Sequence, residues 1–262
     1  MSYLILPKRR ILSPPSNLLV DWDSPQAQGL VGFWPLNDSG IAKDYSVFVN
    51  NGALFNNPPL VLRELGPAYS FNGSNQYVLT GTSDSLTMTG PFSLVAFINV
   101  TDYTGDYRVI FYRKGGAGDA RNYWIDVEKT TGKIRFGFTQ GGAGIYKFVT
   151  SNTSLTLNKL THVIGVFDGA FLRIYINGIQ DNSLAQTGVP DSLSGTNTYI
   201  GAFNGVNYFS GSLNGNRIYN RALSASEAYN QYNNPFDIWW QSRKKLIFTP
   251  SLKKNYKFFN MF

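Results

Sequence analysis

The stretch 160–178, LTHVIGVFDGAFLRIYING, constrains the fold most. Asp168-Gly169 separates two apolar β-type runs, and a second turn pair, Asn177-Gly178, follows. Such pairs tolerate the positive φ that tight hairpin turns demand, so they predict antiparallel neighbours. In the second run Leu172, Ile174 and Ile176 alternate with Phe171, Arg173 and Tyr175. A period of two predicts a strand with one buried face and one wet face.

The rest of the chain agrees with an all-β protein. Its 26 glycines, with many Asn and Ser, supply the turns, and aromatics at 15% supply core volume. At 262 residues it can hold one large sandwich with extensions. Cysteine is absent, which excludes disulfides and thiolate chemistry. The start, MSYLILPKRR, does not read as a secretory signal, because its charges follow a short apolar run. Apolar stretches such as FSLVAF fall far short of the roughly 20 residues of a membrane span, so no membrane insertion is expected.

Residues 1–28 read as an extended arm, broken by Pro7, Pro14, Pro15 and Pro25. Residues 29–234 read as the globular body and 235–262 as a basic aromatic tail. Of the net charge of +7, residues 236–262 carry +5. The body has no basic stripe, which argues against nucleic acid and leaves a solvated end or a docking segment. Strand-like runs recur at 30–36, 68–71, 76–79, 92–100, 108–113, 123–128, 133–139, 146–150, 198–203 and 211–219. The run 92–100 is almost wholly apolar, as in a strand covered on both faces. Ser224-Ala225-Ser226-Glu227 has the capping-box spacing and predicts one short helix to about residue 232.

Several pieces, in order, resemble a laminin-G-like domain of the concanavalin A-like lectin/glucanase superfamily. They are GLVGFWPLNDSG, SFNGSNQYV, PFSLVAFINV, THVIGVFDGAFLRIYINGIQ and FSGSLNGNRIYNRALSASE. Leu160, where the family usually has Trp, and Asn214-Gly215, in a zone where Asp is common, depart from it. The resemblance implies a jelly-roll sandwich of two antiparallel sheets, in a family that mostly binds or displays. The flanks LLVDWDSPQAQGLVGFW and NPFDIWWQSRKKLIF are similar to laminin-G-like proteins of tailed bacteriophages. That similarity implies a non-enzymatic virion structural protein, a capsid decoration or a tail or fibre component. Other virion proteins would be its partners, docked through the terminal extensions. A carbohydrate-binding module for host or environmental glycans is the alternative, and a homo-oligomer is compatible with both.

Hydrolases of this superfamily carry a Glu-x-Asp-x-Glu strand, because retaining hydrolysis needs two carboxylates about 5 Å apart. Here the corresponding residues are Trp124, Asp126 and Glu128, so the first acid is missing. Asp126 and Glu128 then read as the polar face of a strand. His162 is the sole histidine and reads as structural. The runs Gly115-Gly116-Ala117-Gly118 and Gly141-Gly142-Ala143-Gly144 read as loop tips, since neither opens a helix. Calcium, which relatives often bind, could draw oxygens from Asp38, Asp44, Asn72 and Asn75, all also ordinary turn residues. Sugar stacking and hydroxyl recognition could use Tyr103, Tyr107, Asn204, Asn207 and Tyr208. Partner docking could use Phe236, Trp239, Trp240, Arg243, Lys244 and Lys245, since buried aromatics dominate interface energy.

Overall fold

The computed structural model describes residues 19–239. Fifteen strands and one helix follow in chain order. They are β1 (Leu30–Trp34), β2 (Gly52–Phe55), β3 (Leu60–Arg63), β4 (Gly66–Asn72) and β5 (Tyr77–Thr80). Next come β6 (Phe92–Val100), β7 (Arg108–Lys114), β8 (Arg121–Val127), β9 (Lys133–Thr139) and β10 (Tyr146–Ser154). Then follow β11 (Leu160–Phe167), β12 (Phe171–Ile176), β13 (Ile179–Ala185), β14 (Thr198–Ile200), β15 (Ser210–Tyr219) and helix α1 (Ala225–Asn233).

They form two antiparallel sheets. One sheet has eight strands, in the order β13-β12-β11-β6-β15-β4-β3, with β1 also on β15. The other has seven, in the order β10-β9-β8-β7-β14-β5-β2. Alternate side chains of each sheet meet in one core that includes Trp34, Leu94, Ile98, Phe92, Phe136, Phe138 and Phe167. The predicted jelly-roll sandwich is therefore present. The hairpin of β11 and β12 pairs Phe167 with Leu172 across Asp168-Gly169, and Gly169 takes φ +95°. The Asp168 carboxylate accepts from the backbone N–H groups of Ala170 and Phe171 and so fixes the turn.

The outer face of the eight-stranded sheet is not wet. Leu30, Phe33, Val95, Ile164, Val166, Tyr175 and Tyr219 on that face form a second apolar cluster with Leu223, Ala228, Phe236, Ile238 and Trp239. Helix α1 and the segment after it thus cover the sheet, and all nine residues of β6 are buried. Tyr175, expected on the wet face of the hairpin, lies beneath that layer. The capping box at Ser224 forms as expected: Glu227 N–H donates to Ser224 Oγ and Ser224 N–H to Glu227 Oε2.

Both supposed extensions begin on this layer. Val20 pairs antiparallel with Trp239, and Asp21 N–H donates to Ile238 O. Arg217, which β15 buries on this face, ties these segments together. Its guanidinium donates to Gln26 Oε1, Gln231 Oε1 and Pro235 O. A buried cation needs such acceptors. Residues 20–28 and 235–239 are therefore folded onto the body, beyond the boundaries 29 and 234. Phe236 and Trp239, expected to dock a partner, are buried at home. Trp239 lies 4.9 Å from the Phe33 ring and 5.1 Å from Tyr45. Trp240, Arg243, Lys244 and Lys245 lie outside the described residues.

Three strands escaped the sequence reading: β2, β3 and β13. All sit at sheet edges: β2, GALF, and β3, LVLR, are too short to display an alternating pattern, and β13, IQDNSLA, is polar over its middle and half-exposed.

Candidate binding groove on the seven-stranded sheet

Among the described residues no layer covers the outer face of the seven-stranded sheet. Inward residues Tyr123, Ile125 and Val127 of β8 enter the core, so Trp124 and Asp126 must face outward. Register then builds two rows across the strands. Tyr112, Trp124, Gly137 and Phe148 are successive partners in the first row. Asp126 and Arg135 are partners in the second. Gly137 matters because it has no side chain. A Cβ there would lie 2.1 Å from Lys147 O and 2.6 Å from Phe148 Cβ. Its absence lets Trp124 and Phe148 approach over it, with ring centroids 6.2 Å apart.

These rows floor a groove of about 300 Å³. Its walls come from Tyr107, Tyr146, Arg121, Phe203 and Asn207. Tyr146 stands edge-on to Trp124 at 5.8 Å, and Phe203 stands edge-on to Tyr112 at 4.3 Å. The Arg121 guanidinium lies 4.7 Å from the Phe203 ring and 4.8 Å from Trp124. That of Arg135 lies 3.9 Å from Tyr107. Such stacking orients the forks without hiding every ring.

The two arginines are also paired. Arg135 donates Nε and Nη2 to the two oxygens of Asp126 at 2.9 and 2.8 Å. Arg121 grips Asp119 in the same way at 3.1 and 2.8 Å. Tyr146 Oη also donates to Asp119. Burial pushes the Asp126 carboxyl up, and the Arg135 fork opposes that by favouring the carboxylate. Its two charge-assisted bonds make an ion pair the expected state at neutral pH.

One polar atom of a groove-lining side chain stands apart. Trp124 is 2% exposed and lines the groove, yet its indole Nε1–H has no partner. A buried donor left unpaired costs about 1–3 kcal/mol, which a bound acceptor would remove.

Of the five residues expected to bind sugar, Tyr107 and Asn207 line the groove. Asn207 sets its amide against the Asp106 carboxylate. The other three are engaged elsewhere. Tyr103 lies against the main core and over Gly132, Asn204 accepts from Tyr199 Oη, and Tyr208 donates its Oη to Gly205 O. The sequence reading missed Tyr112, Arg121, Arg135, Tyr146, Phe148 and Phe203, and took Asp126 for ordinary strand polarity. The usable signal was the short turn between Val127 and Lys133, which aligns Asp126 with Arg135 on the face of Trp124.

The structure engages each calcium candidate in hydrogen bonds within the chain. The Asp44 carboxylate is buried and accepts from the backbone of Phe33, Ser46 and Asn50 and from Ser46 Oγ. Asp38 accepts from Tyr45 Oη. Asn72 Oδ1 accepts from the N–H groups of Ser74 and Asn75, and Asn75 Oδ1 from Asn72. All four side chains are engaged in local turns, and among the described residues no three of His, Cys, Asp and Glu gather as a metal cluster. No helix among the described residues is long and apolar enough to cross a membrane.

Known structures share this architecture. Domain 4 of the extracellular arabinanase AbnA of Geobacillus stearothermophilus, solved with arabinotriose, superposes at a TM-score of 0.61 with 16% identity. That match covers 78% of this chain and 98% of the domain. The binding domain of Paraclostridial mosquitocidal protein 1 superposes at 0.63 with 18% identity, over 79% of this chain and 52% of its own. Trypanosoma rangeli sialidase, in complex with the inhibitor DANA, superposes at 0.58 with 18% identity, over 80% of this chain and 33% of its own. The chain thus spans nearly all of the arabinanase domain but only about half and a third of the other two. At these identities the likeness concerns the fold. No curated protein matches the sequence. A laminin-G-type family model, described as the concanavalin A-like lectin/glucanases superfamily, matches residues 72–228. Its span holds β5 to β15 and the start of α1, so the chain belongs to that superfamily as a lectin-like domain.

Proposed function

We propose that this domain binds a carbohydrate in the groove of the seven-stranded sheet and performs no chemistry on it. The observation that carries the reading is the unpaired, buried indole N–H of Trp124 among aromatic rings and beside a fixed ion pair. Sugars offer apolar C–H faces for stacking and hydroxyl oxygens for that donor. Like the arabinanase domain solved with arabinotriose, this chain has a lectin-like fold. The absence of hydrolysis is supported by the acids available. Asp126 is the one carboxylate lining the groove and is held by Arg135, while Glu128 accepts from Thr131 Oγ1. Among the described residues no second carboxylate lines the groove, and glycoside hydrolysis needs two flanking the bond.

A glycan array probed with the whole chain and with Trp124→Phe tests this reading. The variant keeps a ring and loses the donor, so bound glycans should weaken about tenfold. An array without hits, or hits indifferent to Trp124→Phe, would remove the groove as a sugar site. Release of reducing ends from a bound glycan would remove the non-enzymatic part.

A second reading, display on a phage particle, is supported by the placement of the two segment ends. Val20 and Trp239 pair on the outer face of the eight-stranded sheet, while the groove occupies the outer face of the other sheet. Attachment through residues beyond 19 and 239 would leave the groove facing away from the particle. A chain stopped after Trp239 keeps the contacts described above, so it should fold and be lost from particles. Purified particles that lack the full-length chain would refute virion display.

A further inference from the structure

We infer that the groove selects uncharged oligosaccharides over acidic ones, a deepening that rests on the sugar-binding reading above. Two guanidinium groups line the groove, Arg121 and Arg135, and at first sight they invite a ligand carboxylate. Each is already paired with an acid along one edge. Arg135 gives Nε and Nη2 to Asp126, and Arg121 gives the same pair of atoms to Asp119. That Nε–Nη2 edge is one that a sialic or uronic carboxylate would otherwise take. The flat faces are occupied too, by Tyr107 on Arg135 and by Phe203 and Trp124 on Arg121.

The charge balance follows. Each cation carries its own anion, Asp126 in the lining and Asp119 outside it, so a second anion entering the groove meets arginines whose charge is already balanced. Juxtaposed like charges select against such ligands. The indole Nε1–H of Trp124 is an uncharged donor without a partner. A sugar hydroxyl accepts from an N–H and can donate to a carboxylate oxygen beside it. A hydroxyl therefore suits this groove, whereas a carboxylate can accept only.

The test is a printed array carrying neutral core oligosaccharides beside their sialylated and uronic-acid-bearing counterparts, probed with the whole chain. Neutral forms should bind about tenfold or more above their acidic counterparts. A second variant isolates the cause. Asp119 has a side chain 37% exposed at the rim, so Asp119→Asn should fold and free the Arg121 fork. Binding of acidic forms should then rise toward that of the neutral ones. Acidic forms that bind the unaltered chain as well as neutral ones, with Trp124→Phe weakening both, would overturn the selectivity while leaving the sugar site in place. An Asp119→Asn chain with unchanged preference would overturn the paired-edge explanation. An array without hits, or with hits that ignore Trp124→Phe, would overturn the sugar site and this inference together.

Discussion

His162 makes the stability of this domain depend on pH in a window where few other groups act. β11 places it on the outer face of the eight-stranded sheet, under α1, between Phe97 at 4.3 Å and Tyr232 at 6.1 Å. Neither ring nitrogen has a partner. Burial, with the nearby Arg217 charge adding to it, pushes the imidazole down to about 3 from an ordinary 6.5. Between those values the unfolded chain holds a proton that the folded chain refuses. Stability is therefore complete above 6.5 and falls as the pH drops below it. Relative to pH 7.5, the loss at pH 5 is about 2 kcal/mol. That figure depends on the unfolded value alone, since even an imidazole at about 3 stays neutral at pH 5. His162 is the only histidine, so no second imidazole confuses the result. The assay is urea unfolding followed by tryptophan fluorescence at both pH values, for the natural chain and for His162→Leu. Leucine keeps an apolar side chain of similar size, and the variant should lose about 2 kcal/mol less on acidification. Equal losses in the two proteins would show that the imidazole is protonated in the fold and that the burial argument is wrong.

Two further outcomes follow from the covering layer. Ser224→Ala removes the oxygen that accepts from Glu227 N–H and should cost about 1 kcal/mol, read as a lower urea midpoint with unchanged slope. Trp239→Ala empties the space against Phe33 and Tyr45 and should cost about 3–5 kcal/mol; a loss under half that would mean Trp239 is dispensable to the body.

The sequence made the sandwich legible because its interior strands repeat with a period of two between turn residues. The hairpin of β11 and β12 and the wholly apolar β6 are the plainest cases, since each pattern has one physical cause, burial on one face or on both. The edge strands were not legible, because β13, IQDNSLA, faces water along much of its length. The layer over the eight-stranded sheet was hidden for another reason. Arg217 and Gln26 stand 191 positions apart, and their hydrogen bond exists only after β15 and the first residues are brought together. Prolines at 7, 14, 15 and 25 suggested an arm, yet Pro25 opens a single turn that holds Gln26 in place. The groove was half legible. Tyr107 and Asn207 stand out as loop residues, whereas Trp124, Asp126 and Arg135 gain meaning from strand register.

The two sheets treat their outer faces differently, and this difference locates function. The chain has one helix and two short segments with which to cover a face among the described residues, and Arg217 ties them all to the eight-stranded sheet. Among the described residues no such cover lies over the outward aromatics of the other sheet. Arginines stack on those rings and each is paired with an acid, which holds the rings and forks in one arrangement before any ligand arrives. Fixed rings and forks lose little freedom on binding, so a weak stacking contact yields more net affinity than it would on a mobile surface. Opening the Asp126–Arg135 pair would leave a buried charge at a cost of about 3–5 kcal/mol, so a ligand gains by meeting the pair intact. On the proposed reading, the ion pairs that fix this face also set what it recognises, a surface of hydroxyls and not another charge.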